Sequence, residues 1–179
     1  MMISKTDFGN AFYRDVSNTS GSGGSLAAMA LLLQIERYNI LDAQAKDEFE
    51  DMQKRNDWLK TANAALAALR VNRPGNDKDV KDYGTFVDAQ GKTQNVHQWM
   101  LANGIPIEQN KGDTAGVQSE FDAAISNLKS RIDTVNSDSQ MALIRLQSLM
   151  DKVNQSVELA TNLLAKDTKA KEIILGNIR

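Results

Sequence analysis

The chain has 179 residues, the length of one ordinary domain or one elongated unit. Apolar residues make up 41% and aromatic residues only 6%, which favours a helical core of Leu, Ile, Val and Ala over an aromatic-rich β-sandwich. The net charge of −2 gives no electrostatic reason to expect nucleic acid or an anionic membrane as a partner. The absence of Cys excludes a disulfide scaffold and thiolate metal sites.

The first 25 residues predict a disordered export segment. Residues 1–25 are polar, lack a signal-peptide pattern and end in the Gly- and Ser-rich stretch Ser17–Ser25. The apolar run Leu26–Leu33 that follows is much shorter than the roughly 20 residues that a membrane span needs. We therefore expect it to begin a helix that is buried in a protein interface, with Ser25 as its N-cap, and we expect no membrane span.

This first helix is predicted to run from Leu26 to about Arg70, where Pro74 and Gly75 punctuate its end. Its apolar seam steps by seven through Leu31, Tyr38, Ala45, Met52, Leu59 and Leu66. The flanking row is mixed and predicts a narrow seam: Ile35, Asp42, Phe49, Asn56 and Asn63. Dense alternating charge between Lys46 and Lys60 indicates a solvated face, and the carboxylates there are expected to form surface ion pairs: Asp47, Glu48, Glu50 and Asp51.

Residues 72–113 interrupt the helical pattern and predict a small irregular or α+β insert. The run Thr85–Thr93 has a weak β-hairpin signal with a turn at Gly91. Asn95 is expected to cap a short helix, Val96–Ala102, which Asn103 and Gly104 close. The lone His97 is predicted to be a partly exposed packing residue, Ile105–Ile107 is expected to be extended, and Asp113 or Thr114 is the expected cap of the final helix.

The last third of the chain carries the most regular pattern. The segment from Phe121 to Ile178 contains no Pro and one Gly and carries two apolar rows at heptad spacing. This pattern predicts a helix roughly 85 Å long at about 1.5 Å per residue. One row is Phe121, Leu128, Val135, Ala142, Leu149, Ser156, Leu163 and Ala170, and the other is Ile125, Ile132, Ser139, Leu146, Val153, Ala160, Asp167 and Ile174. A third row and an apolar tail provide more apolar surface than one partner helix covers.

These patterns together predict a mainly all-α fold. Residues 26–179 are expected to form one elongated domain, a long antiparallel helical hairpin or coiled coil, with the insert 72–113 between its helices.

The residues of interest follow from that architecture. The predicted intramolecular seam consists of Leu31, Tyr38, Met52, Leu59, Leu66, Phe121, Ile125, Leu128, Ile132, Val135, Leu146, Leu149 and Val153. The predicted assembly or partner surface consists of Leu26, Met29, Leu32, Leu33, Met150, Val157, Leu164, Ile173, Ile174, Leu175 and Ile178. Three polar seam residues, Ser139, Ser156 and Asp167, either fix the register of pairing or lie at thin, wet spots. No catalytic motif is present, and we expect neither enzymatic activity nor a cofactor or metal site.

Several segments resemble the EspA/SseB group of type III secretion proteins, which form the extracellular filament or sheath at the needle tip. A polar N-terminus precedes the abrupt apolar start Leu26–Gln34, and a charged helix follows to Ala68. Val96–Ile107 is similar to the group's short helix, Asn-Gly and Ile-x-Ile segment, and Ser139–Met150 is similar to its C-terminal coiled-coil helix. The insert departs most from the group.

The resemblance implies a secreted structural subunit that polymerises outside the bacterial cell and helps deliver translocators and effectors to host cells. Its implied partners are further copies of itself, a cytoplasmic secretion chaperone, the needle subunit and translocator proteins. Two alternatives stay open: a needle-tip cap of the IpaD/SipD/LcrV type, and an intracellular coiled-coil adaptor or secretion chaperone.

Overall fold

A computed structural model describes residues 26–108 and 114–177, without the side chains of Leu26, Ala27 and Ile174. This part of the chain is mostly helical, which confirms the mainly all-α class. In chain order its elements are α1 (Leu26–Asn72), β1 (Lys81–Asp82), β2 (Thr85–Val87), β3 (Thr93–Asn95), α2 (Val96–Ala102), β4 (Ala115–Gly116) and α3 (Gln118–Asn177). The predicted export segment 1–25, with its capping Ser25, and the proposed cap Asp113 lie outside the described residues.

The chain divides into two compact units, and each long helix contributes to both. The insert unit consists of residues Asp47–Leu146, and the terminal unit consists of the parts of the chain before and after it. The expectation of a single domain over 26–179 stays a prediction.

The insert unit has an apolar core supplied by all of its helices. α1 contributes small and branched side chains, α3 contributes an aromatic and several aliphatic ones, and the insert fills the space between them. The buried members are Ala62, Ala65, Leu66, Leu69, Tyr83, Phe86, Val96, Met100, Ile105, Ile107, Phe121, Ala124, Leu128 and Ile132. Since burial of apolar surface is the main favourable term in folding, this cluster is the chief source of the unit's stability.

Two short antiparallel strand pairs organise the insert. β2 pairs with β3, with Phe86 opposite Gln94, which confirms the predicted hairpin. β1 pairs with β4, with Lys81 opposite Gly116, and this pair joins the beginning of the insert to its end. Gly91 has a φ of +82°, a conformation that an L side chain rarely adopts and that the hairpin turn requires.

The short helix α2 has the ends that its sequence predicts. The side chain of Asn95 accepts a hydrogen bond from the backbone N–H of Gln98, which caps the first turn. At the other end Gly104 has a φ of +67° and terminates the helix. Asn103 also accepts a hydrogen bond of 2.7 Å from the indole of Trp58, so the end of α2 is fixed to α1.

The start of α3 differs from the prediction. The helix begins at Gln118, and the hydroxyl of Thr114 donates to Asp82 instead of capping it. Because Val117 offers no capping oxygen, two carboxylates satisfy the first amides: Glu120 accepts from the N–H of Val117, and Asp77 accepts from the N–H of Ser119. The insert therefore extends to the residue before Gln118.

Candidate assembly surface

The predicted seam residues of α3 are all buried or half-buried. Phe121, Leu128 and Ile132 are buried, and the other seam residues of this helix are half-buried: Ile125, Val135, Leu146, Leu149 and Val153. Ala142 and Ser156, which continue the heptad row, are 1% exposed each. The heptad spacing thus identified the protected face of α3, whereas its role as a coiled-coil seam stays a prediction.

On α1 the first predicted row is protected throughout, whereas the second is half-buried only at its first two members, Ile35 and Asp42. Leu31 and Leu66 are buried, and Tyr38, Met52 and Leu59 are half-buried. The expected flanking row is exposed from Phe49 onward, at Asn56 and Asn63. A second row of buried or half-buried residues lies on the other side of the first row. Its members are Gln34, Leu41, Glu48, Arg55, Ala62 and Leu69. Sequence reasoning missed this row because half of it is polar.

Ser156 makes the contact that joins the two helices of the terminal unit. Its hydroxyl donates a 3.1 Å hydrogen bond to the main-chain carbonyl of Gln34. A side-chain oxygen can reach the backbone of a neighbouring helix only where the two helices approach closely, so a small residue is required at this position. Ser139 behaves differently, since its hydroxyl donates to the carbonyl of Val135 in its own helix.

The third polar seam residue, Asp167, is half-buried and pairs with Lys171 one turn away at 2.8 Å. It makes a local surface ion pair of the kind that contributes little to stability.

The carboxylates in the middle of α1 are partly as expected. Asp51 pairs with Lys54 at 3.1 Å on the exposed face. Glu48 instead lies in the protected row, where its Oε1 is 3.6 Å from Nη1 of Arg55 and neither atom has a hydrogen bond. Together with Gln34, this pair makes up the polar half of the protected row.

The predicted assembly surface is mostly exposed. Seven of its members present large apolar side chains to solvent: Met29, Leu32, Leu33, Met150, Val157, Ile173 and Leu175. Leu164, another member, is half-buried. The side chains of Leu26 and Ile174, and the whole of Ile178, lie outside the described residues.

The imidazole of His97 and the aromatic rings of the insert unit pack against one another. His97 is 6% exposed, which corrects the expectation of a partly exposed residue, because its ring stacks on that of Tyr83 with centroids 5.8 Å apart. Its Nε2 has no hydrogen-bond partner among the described residues. Trp99 contacts Trp58 and Phe86, so the aromatic side chains of this region serve packing.

Two carboxylates of the insert unit have shifted pKa values. A hydrogen bond from the side chain of Gln94, together with backbone N–H donors of Lys92 and Gln90, lowers the pKa of Asp88 below its ordinary value. The guanidinium of Arg73 donates two bonds of 2.6 and 2.7 Å to Asp122, which lowers the pKa of that carboxyl. The carboxylate of Asp88 holds the hairpin turn, and that of Asp122 holds the beginning of α3 to Arg73. Both carboxylates therefore accept hydrogen bonds that stabilise the fold.

Open grooves lie on the surface of the described residues. One groove of about 510 Å³ runs along α3 and is lined by Ser126, Lys129, Ser130, Asp133, Thr134 and Ser137. Within residues 26–108 and 114–177, no three His, Cys, Asp or Glu side chains group closely enough to hold a metal ion. In the same part of the chain, neither long helix has a stretch that is apolar enough over a bilayer's thickness to cross a membrane.

Comparison of the chain with protein-family models, with curated proteins and with solved structures finds no match.

Proposed function

We propose that this protein is a secreted structural subunit of a type III secretion system, which self-assembles into the extracellular filament or sheath at the needle tip. In that role it helps deliver translocators and effectors to host cells. The proposal includes an antiparallel hairpin of α1 and α3, a homopolymer in contact with the needle subunit and translocator proteins, a cytoplasmic secretion chaperone before export, and no enzymatic activity. The resemblance of Leu26–Gln34, Val96–Ile107 and Ser139–Met150 to the EspA/SseB group supplies its specific terms.

Two contacts support the hairpin. In the terminal unit Ser156 bonds to Gln34, and in the insert unit Arg73 bonds to Asp122. In the terminal unit α1 thus contacts α3, and in the insert unit the residue that follows α1 contacts α3, as the proposed hairpin requires.

The observation that carries the assembly proposal is the imbalance between buried and exposed apolar residues in the terminal unit. Among the described side chains of the whole unit, three hydrophobic residues are buried: Leu31, Leu41 and Ala45. Exposed ones are more numerous in the unit: Met29, Leu32, Leu33, Ile40, Met150, Val157, Leu159, Ile173 and Leu175. Exposed apolar surface of this extent marks interaction sites, and a surface that follows both long helices fits repeated helix packing between copies.

The test is whether the purified full-length chain polymerises. We expect regular hollow fibres by electron microscopy above a critical concentration, and fibres in the culture supernatant of a bacterium that expresses the secretion system. A chain that stays monomeric at high concentration contradicts the proposal. A closed oligomer of fixed size favours the tip cap, and a protein found only in the cytosol favours the adaptor or chaperone.

Variants separate helix pairing from assembly. Deletion of residues 173–179 removes exposed apolar groups without touching the seam, so we expect an unchanged thermal transition and impaired polymerisation. The double variant Leu146→Asp and Leu149→Asp should abolish both helix pairing and polymerisation. Both side chains are half-buried, and burying one Leu contributes roughly 1.5–3 kcal/mol. Val71→Ser is the matched control, because Val71 is exposed but lies in the insert unit outside the predicted surface.

A further inference from the structure

The last turns of α3 carry an exposed face that combines charge with an apolar anchor. α3 has half-buried residues as far as Asp167, whereas every side chain described from Thr168 to Asn177 is exposed. Lys166, Lys169 and Ile173 follow the spacing i, i+3 and i+7, so they lie on one side of the helix. We call Lys166, Lys169, Glu172 and Ile173 the α3 end face. Ile173 is 57% exposed and has no cover among the described residues of its own copy.

The early part of α1 carries a groove with matching chemistry. The groove has a volume of about 270 Å³ and is lined by Leu33, Glu36, Arg37, Ile40 and Leu41. Leu33 and Ile40 are 65% and 54% exposed and flank Glu36 at the same i, i+3, i+7 spacing. Glu36 and Arg37 are exposed at the rim, and neither forms an ion pair within the described chain.

The groove is not filled by α3 of the same copy. α1 turns Gln34 towards α3, where its carbonyl accepts the hydrogen bond from Ser156. Leu33, one residue away along the helix, points about 100° from Gln34 around the axis and remains exposed. The side of the groove formed by Leu33 and Ile40 is therefore open to a partner.

We propose that the α1 groove of one copy binds the α3 end face of a second copy. Ile173 inserts between Leu33 and Ile40, while Lys169 faces Glu36 and Glu172 faces Arg37. Glu36 and Arg37 of the groove thus each meet an opposite charge next to the inserted Ile173. The two rim charges cancel, so it is the arrangement of opposite charges, and not a net attraction, that selects this partner.

This proposal rests on the proposed function and names the two surfaces that polymerisation uses. The groove and the end face are different patches of the chain, so the contact between copies is heterologous. A heterologous contact that does not close into a ring extends into a filament.

The experiment inverts the charges on each face without changing net charge. Variant A carries Glu36→Arg and Arg37→Glu, and variant B carries Lys169→Glu and Glu172→Lys, both in the full-length chain. Each inversion replaces two attractive pairs with two repulsive ones, so we expect the critical concentration for polymerisation to rise about tenfold in A and in B. The chain that carries all four substitutions should return to within about twofold of the wild type.

Mixing gives an independent readout. The normal end face of A fits the normal groove of B, and the inverted end face of B fits the inverted groove of A. An equimolar mixture should therefore copolymerise, although neither variant does so alone at that concentration. The control is Asp51→Lys with Lys54→Asp, which exchanges an exposed pair of the insert unit and should leave the critical concentration unchanged.

The outcomes separate this proposal from the broader function. If A and B polymerise like the wild type, or if the fourfold variant stays defective, the groove and the end face do not meet, while the filament function stands. If A lowers the thermal stability of the monomer and deletion of residues 1–25 does the same, the N-terminal segment of the same chain occupies the groove and the proposal is wrong. A wild-type chain that never polymerises refutes the function and this proposal together.

Discussion

Replacing Ser156 with Leu tests whether helix packing or heptad pattern governs the terminal unit. By pattern alone, Leu at this position completes an apolar row, and a buried Leu contributes roughly 1.5–3 kcal/mol. In the structure Ser156 is 1% exposed, and its hydroxyl lies 3.1 Å from the carbonyl of Gln34. A Leu side chain has no room there unless the helices separate, and overpacking of this kind costs typically about 1–3 kcal/mol. The two arguments predict opposite signs.

We expect Ser156→Leu to destabilise the protein by about 1–3 kcal/mol, which corresponds to a melting temperature lower by roughly 2–12 °C for a chain of this size. Urea unfolding followed by circular dichroism, below the concentration at which the chain assembles, measures the difference. Ser156→Ala should cost less, because the loss of one hydrogen bond, about 0.5–1.5 kcal/mol, is partly offset by the higher helix propensity of Ala.

The matched control is Ser139→Leu. Ser139 occupies the other predicted row, is only half-buried and bonds to its own helix, so Leu there has room and should be neutral or stabilising. A Ser156→Leu protein as stable as the wild type, or more stable, would refute the inference that the helices approach closely at Ser156.

Three further predictions concern the two units. Leu69→Ala, at a fully buried position, should cost about 2–5 kcal/mol in urea unfolding, whereas Leu33→Ala at an exposed one should stay within about 0.5 kcal/mol; equal effects would contradict the assigned core. The lowered pKa of Asp88 implies a contribution to stability that is present above the carboxyl's ordinary pKa and is lost as the pH falls through the lowered value; Asp88→Asn should flatten this acid limb, and an unchanged pH profile would count against it. Asp122→Asn should remove the ion pair with Arg73 and lower the melting temperature at low salt, and the deficit should shrink in 1 M NaCl; a salt-independent deficit would point to packing instead.

The sequence predicted local structure well wherever a short-range cause decides it. The hairpin turn at Gly91 and the capping of α2 by Asn95 follow from the conformations and side-chain acceptors of single residues. The protected face of α3 follows from heptad spacing, which depends only on helix geometry. Each of these signals lies within a few residues of the feature that it predicts.

Failures occurred where a distant part of the chain supplies the partner. The beginning of α3 shifted to Gln118 because Asp77, about 40 residues earlier, caps an amide of the first turn. His97 was expected to be partly exposed, but stacking on Tyr83 buries it. Apolar spacing does not reveal the α1 row that contains Glu48 and Arg55, because only the packing around polar residues protects them from solvent.

The sequence by itself determined that the chain forms two long helices with a small mixed insert, because apolar periodicity and turn residues act locally. The tertiary structure alone decided which polar residues are buried and which apolar residues remain exposed. Ser156 and Ser139 illustrate the reason: both interrupt the same pattern, yet one bonds across to Gln34 and the other to its own helix. Burial depends on what the rest of the chain places opposite a residue, and spacing along one helix does not encode that.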